Sequence, residues 1–288
     1  MRRLEILLLL GTLPGVLSAG TVKALIVDGQ NNHEWQETTP VLKKILEQSG
    51  RFQVDVATSP PRGADMSGFH PNFFAYAVVV SNYNGDDWPA DTKAAFERYV
   101  RGGGGFVVFH AADNSFPGWK EYNKMTGVGG WENRTTGKFG PRLRYRDGGV
   151  ARDAGPANCG HHGDKLPFAI TTRDASHPIL KGLPTVWMHA PDELYDSLCG
   201  PATDVDVLAT AYSDPHNHGT GENEPMLMTI RYGKGRVFHT TLGDDTGAME
   251  CAGFITILQR GAEWAATGKV TQKPPKDFPT AGRVSLRK

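Results

Sequence analysis

"RGGGGFVVFHAADNSF", residues 101–116, decides the fold. Glycines lead into the apolar run Phe106, Val107, Val108 and Phe109, which reads as a buried strand; His110 follows at once, with Asp113 and Asn114 close behind. In open α/β sheets the chemistry sits just beyond the carboxyl end of such a strand. A nucleophile is expected at that point, and this chain presents a histidine.

Outward from this strand, "VKALIVDG" (22–29), "FQVDVAT" (52–58) and "YAVVVSN" (76–82) also read as strands. They alternate with "ETTPVLKKILEQSG" (37–50) and "WPADTKAAFERYVRGG" (88–103), helical patterns of which the second places Ala95, Phe96, Tyr99 and Val100 on one face. Continuous apolar strands separated by helices predict an α/β fold: a mostly parallel sheet with helices on both faces. Beyond residue 112 the pattern changes. "WKEYNKMTG" (119–127) reads as a short helix, and 128–165 as a long, glycine-rich, charged loop insertion. "FAITTRD" (168–174), "DVDVLATAYS" (204–213) and "MLMTIRYGKGRVFHTTLG" (226–243) read as strands, the last folding into a C-terminal hairpin at "YGKG"; "CAGFITILQRGAEWAATG" (251–268) is the closing helix. Residues 21–268 form one expected domain, and 269–288, without apolar periodicity, an extended tail.

The chain has 288 residues, 39% hydrophobic and 22% charged, enough for a sizeable core, while 35 glycines imply many loops. Lys plus Arg and Asp plus Glu both number 31, so no global field favours nucleic acid or an anionic membrane surface. Residues 1–20 carry Arg2 and Arg3, an apolar stretch around Leu7–Leu10 and small residues at Ser18, Ala19 and Gly20. That order predicts a secretory signal peptide and an exported (periplasmic or extracellular) protein, while Glu5 and Pro14 argue against a permanent membrane span. Cys159, Cys199 and Cys251 are too few and scattered for a disulfide framework or a zinc module; one bridge with a spare thiol, or three free thiols, both stay open.

The motifs "VDGQNNHEW", "GGGGFVVFHAA", "SHPILKGLP", "DELY" and "GKGRVFHTTLG", with "GAEWAATG" behind them, resemble those of the ThuA-like, trehalose-utilisation family, in family order across about residues 22–268. The resemblance implies a flavodoxin-like core related to class I glutamine amidotransferase domains, and a place in sugar catabolism that includes oxidised (3-keto) glycosides. Amidotransferase relatives put a cysteine on a strained turn after the equivalent strand. His110 takes that position here, and neither G-x-C-x-G nor G-x-S-x-G occurs, so thiolate hydrolysis of glutamine is not expected.

Histidine at this point suits a general base, a hydrogen-bond donor to a sugar oxygen or a metal ligand. His33, in the loop after the first strand, shares the same sheet edge. "HAPDELYDS" (189–197) supplies Glu193 and Tyr195 on one face of an extended segment, with Asp192 on the other. The expected catalytic residues are His110, His33 and Glu193. Expected at the ligand are Asp113, Asn114, Trp119, Trp131, His162, Asp192, Tyr195 and Asp244. Trp119 and Trp131 offer faces to a sugar ring, His162 sits in "NCGHHGD", and Asp244 stands where many family members have histidine after "L-G".

Three functions fit these residues: a lyase, hydrolase or isomerase acting on a glycoside or its 3-keto derivative; a non-catalytic carbohydrate-binding protein; or a metal-dependent hydrolase using zinc or manganese. The expected partner is a small carbohydrate, and a homo-oligomer is compatible with the sequence. "HNH" (216–218) lies in a predicted loop, away from any helix that would pair its histidines on one metal.

Overall fold

The computed structural model describes residues 20–287, so the leader pattern lies, apart from Gly20, outside the described residues. The first half alternates as expected: β1 (Val22–Asp28), α1 (Trp35–Gln48), β2 (Phe52–Thr58), β3 (Val78–Ser81), α2 (Ala90–Arg101) and β4 (Gly105–Phe109). There follow α3 (Lys120–Thr126), α4 (Thr136–Phe139), β5 (Arg142–Arg146), β6 (Gly149–Asp153), β7 (Leu166–Thr172) and β8 (Val186–Asp192). The chain then runs through β9 (Val205–Tyr212), β10 (Asn223–Tyr232), β11 (Gly235–Thr240), α5 (Thr246–Met249) and α6 (Ala252–Thr267).

All eleven strands join one sheet, ordered β2-β1-β3-β4-β11-β10-β9-β7-β8, with β5 attached to β10 and β6 to β5. This corrects the expected mostly parallel sheet to a mixed one. Parallel ladders link β2, β1, β3, β4 and β11; every other ladder is antiparallel. The expected hairpin at "YGKG" lays β11 beside β4 in the same direction with β10 running against it, and β9, β7 and β8 then extend the sheet antiparallel beyond β10.

Alternate residues of the parallel strands feed two cores. Ala24, Ile26, Val78, Val80, Val107 and Phe109 share one with α1 and α6, while Leu25, Val27, Val79, Phe106 and Val108 share the other with α2 and α3. Helices therefore cover both faces, as the apolar runs predict. The far end of the sheet curls back: β8 contacts α5 and α6, and its Trp187 belongs to the α6 core. That curl carries the residues after β8 to the carboxyl edge of the parallel strands.

The stretch 128–165 is not all loop, because β5 and β6 form a hairpin within it. Its "RLRYR" strand conceals itself behind arginines whose charges are met by acids: Arg142 by Asp153, and Arg144 and Arg146 by Glu222. Cys159 and Cys199 form a disulfide and Cys251 is free and buried, which settles the cysteine question in favour of one bridge. Among the described residues no helix is long and apolar enough to cross a membrane.

Candidate functional site

The loops after β1, β4, β8 and β11 bring His33, His110, Glu193 and Asp244 together at the carboxyl edge of the parallel strands. The loop after β1 leaves through Gly29, at φ +112°, where a Cβ would stand 2.5 Å from the Ser59 backbone nitrogen. Asn31 then builds a turn by accepting from the His33 amide at 3.0 Å and donating to Asn82 at 3.0 Å, which aims His33 at the edge. After β4 the chain turns sharply and His110 adopts φ +44°, a left-handed conformation that costs a non-glycine residue about 1–3 kcal/mol and clusters at functional positions. The chain thus turns in a strained conformation directly after β4, with an imidazole on the turn.

His110 is buried, and its Nδ1 donates to the Thr241 carbonyl at 2.6 Å. A carbonyl only accepts, so Nδ1 carries the proton and Nε2 turns inward without a hydrogen-bond partner. Glu193 Oε2 lies 3.7 Å from that Nε2 and Asp244 Oδ1 3.8 Å, near enough to act electrostatically and too far for hydrogen bonds. Burial opposes a charge on His110, but Glu193, Asp192, the Thr241 carbonyl and Asp244 together outweigh it and raise its pKa.

His33 Nδ1 lies 2.7 Å from Asp244 Oδ1, and its Nε2 is 3.3 Å from the Tyr195 hydroxyl. Burial would raise the Asp244 carboxyl; His33 and the Lys165 ammonium overcome it and hold the group far below the ordinary carboxylate range. Lys165 bridges Asp244 and Asp245. Burial and surrounding carboxylates push the Tyr195 phenol well up, so it stays protonated and donates to His33.

Above this centre lies a cavity of about 240 Å³ lined by Asn32, His33, Arg62, Asn84, Asn114, Trp131, Glu132, His162, Glu193 and Tyr195. Trp131 and Tyr195 form an aromatic corner, ring centroids 4.5 Å apart, and His162 Nε2 stands 3.6 Å from Glu193 Oε1. Trp131, Glu132 and Asn133 all have left-handed φ values, between 44° and 58°. The buried Arg134 guanidinium holds this turn by donating to the Gly130, Asn114 and Ser115 carbonyls and to Asn123.

Of the residues expected to act, His33, His110 and Glu193 come together. Asn114, Trp131, His162 and Tyr195 line the cavity, and Asp244 sits beneath it. Three others do not reach it. Asp113 is turned inward by the 3-10 turn after β4 to lie 3.3 Å from His239, and Trp119 packs among Trp88, Phe96, Phe116 and Tyr122 while donating to Glu97. Asp192 is buried in a pair with His189 at 2.7 Å. Asn32, Arg62, Asn84, Glu132 and Lys165 also reach the site and are not among the residues expected there. Asn84 follows β3, where the rule that placed His33 after β1 would have found it; Lys165 ends the charged insertion and carries no comparable signal.

His33, His110, Glu193 and Asp244 each present a donor atom within 4.8 Å of the others, a set of nitrogen and oxygen ligands able to hold a divalent ion.

A family model, ThuA, described as trehalose utilisation, matches residues 23–265. The chain belongs to the ThuA family. It is similar to a ThuA-like protein of Parabacteroides merdae ATCC 43184, with 49% identity over 93% of this chain and 98% of that one, and a TM-score of 0.91. A ThuA-like protein of Bacteroides uniformis ATCC 8492 shares 20% identity over 90% of this chain and 97% of that one, with a TM-score of 0.60. No curated protein matches the chain. The expectation of export is not carried further; two more distant matches from Salmonella typhimurium, at 12% and 14% identity and TM-scores of 0.48 and 0.47, are themselves named cytoplasmic proteins.

Proposed function

We propose that this ThuA family member is a carbohydrate-active enzyme that binds a glycoside or its oxidised (3-keto) derivative in the cavity and performs acid–base chemistry at Glu193 and His110. The observation that carries the reading is the partnerless Nε2 of His110, buried between Glu193 and Asp244 directly under an aromatic corner. Trp131 and Tyr195 suit the C–H face of a sugar, and Asn32, Asn84 and Asn114 suit its hydroxyls. The family description, trehalose utilisation, agrees with a sugar ligand.

With a keto sugar, Glu193 takes the proton from the carbon beside the carbonyl. The electron pair moves toward the carbonyl oxygen, and His110, whose neighbours favour a proton on Nε2, stabilises the negative oxygen by a hydrogen bond from that N–H and keeps the proton throughout. Elimination then breaks the glycosidic carbon–oxygen bond, and the departing oxygen receives the proton that Glu193 holds. With its pKa raised, His110 suits the donor among the roles open to it, and the carboxylate suits the base. A thiolate route has no place here, since two cysteines are bonded to each other and Cys251 is buried.

The test is a turnover screen across glycosides and their 3-keto derivatives. Wild-type protein turns over a keto glycoside, His110→Gln lowers kcat about 10²–10⁴-fold, and Trp131→Ala acts mainly on KM. Binding of the same sugars without any turnover would reassign the cavity to a non-catalytic carbohydrate-binding role.

A further inference from the structure

We infer that His33, His110 and Asp244 hold one divalent transition-metal ion, zinc or manganese, with Glu193 facing the ion's open position. The inference deepens the reading of this centre as the chemical one and uses the same residues, but it does not depend on the sugar.

His110 supplies the decisive observation. Its Nε2 is buried without a hydrogen-bond partner, while its Nδ1 is anchored at 2.6 Å on the Thr241 carbonyl. A metal-binding imidazole is held in this way, with the distal N–H tied to a carbonyl and the other lone pair free for the ion. His33 and Asp244 bring a second nitrogen and an oxygen, and the donor atoms of the whole cluster lie within 4.8 Å of one another. Ligand atoms around a tetrahedral zinc ion stand about 3.3 Å apart, so side-chain rotations that draw the donor atoms together by about 1 Å close the set. The carboxylates differ in position. Asp244 lies beneath the cavity, its other oxygen on Lys165, whereas Glu193 lines the cavity itself. Two histidines and one carboxylate with a free position form a catalytic rather than a structural metal site. An ion there takes the place of a proton on His110 Nε2 in stabilising negative charge on a ligand oxygen.

The experiment uses the full chain, stripped with chelator and titrated with zinc chloride or manganese chloride by calorimetry, with elemental analysis after dialysis. One ion per chain and a rise in melting temperature are expected. His110→Gln and Asp244→Asn each weaken binding about 100-fold, whereas Trp131→Ala, folded by circular dichroism, keeps wild-type stoichiometry and affinity. Absence of saturable binding, or unchanged affinity in both ligand variants, overturns the assignment. Intact metal binding in a protein that turns over no sugar defeats the sugar reading alone.

Discussion

Asp192 lies outside the cavity and yet sets it. Its carboxylate accepts from His189 Nε2 and the Gly243 amide at 2.7 Å, the Glu193 amide at 2.9 Å and the Asp244 amide at 3.1 Å, so one buried anion fixes the backbone of both site carboxylates. Burial opposes the charges, but their pairing wins: Asp192 is lowered, and His189 is pushed up to about 9. Asp192→Ala strands His189 and three amides, and an expected loss of about 3–5 kcal/mol is checked by urea denaturation. An unchanged midpoint would show the pair to be dispensable. Glu224 offers a second residue-scale prediction. Burial raises its carboxyl to about 7 against the opposing pull of Thr220 and Arg144, from an ordinary value of 4.5. A folded-state pKa above the unfolded one gives stability that is complete below about pH 4.5 and lost as pH rises through 7. Melting temperature therefore falls between pH 5 and 8, and Glu224→Gln flattens that slope by about 1–3 kcal/mol; identical slopes in both proteins would remove Glu224 as its source.

Among the elements, α6 shows how tightly a helix meets this sheet. A Cβ on Gly261 would lie 2.1 Å from the Phe238 ring on β11, so the helix sits where only glycine fits. In an exposed helix, Gly→Ala gains about 1 kcal/mol of propensity. Here Gly261→Ala is expected to lose about 1–3 kcal/mol through overpacking, a sign that thermal denaturation reads directly. A stabilised variant would mean that the ring or helix yields freely. Legibility also varied by element. The parallel strands β1, β3 and β4 announce themselves by continuous apolar runs and α6 by its helical apolar spacing, whereas β8 contains Pro191 and two polar side chains, and its pairing with β7 and contact with α6 make it a strand.

For the molecule as a whole, the Cys159–Cys199 bridge spans 40 positions and locks the charged insertion to the segment after β8. Trp131 hangs from that junction, its amide donating to the Cys159 carbonyl at 2.8 Å. Closing a loop of this length stabilises by roughly 2–4 kcal/mol. The double variant Cys159→Ala/Cys199→Ala should lose that much in guanidinium denaturation and bind sugar more weakly as Trp131 loosens. Equal affinity with lowered stability would confine the bridge to a structural role.

From residues alone came the buried strands, the helices between them, the single bridge as one of two open outcomes and the placement of His33 and His110 on one edge. Those features are local: apolar period, turn chemistry and the rule that ligands gather at the carboxyl ends of parallel strands. The tertiary structure decided that the sheet is mixed, that Asp113, Trp119 and Asp192 face inward, and that Lys165 reaches Asp244 across 79 positions of chain. It also decided which nitrogen of His110 is bare, because the Thr241 carbonyl that claims the other lies 131 positions away. No local pattern encodes such pairings; they arise only when separate strands close into one sheet and its far end folds back over α6.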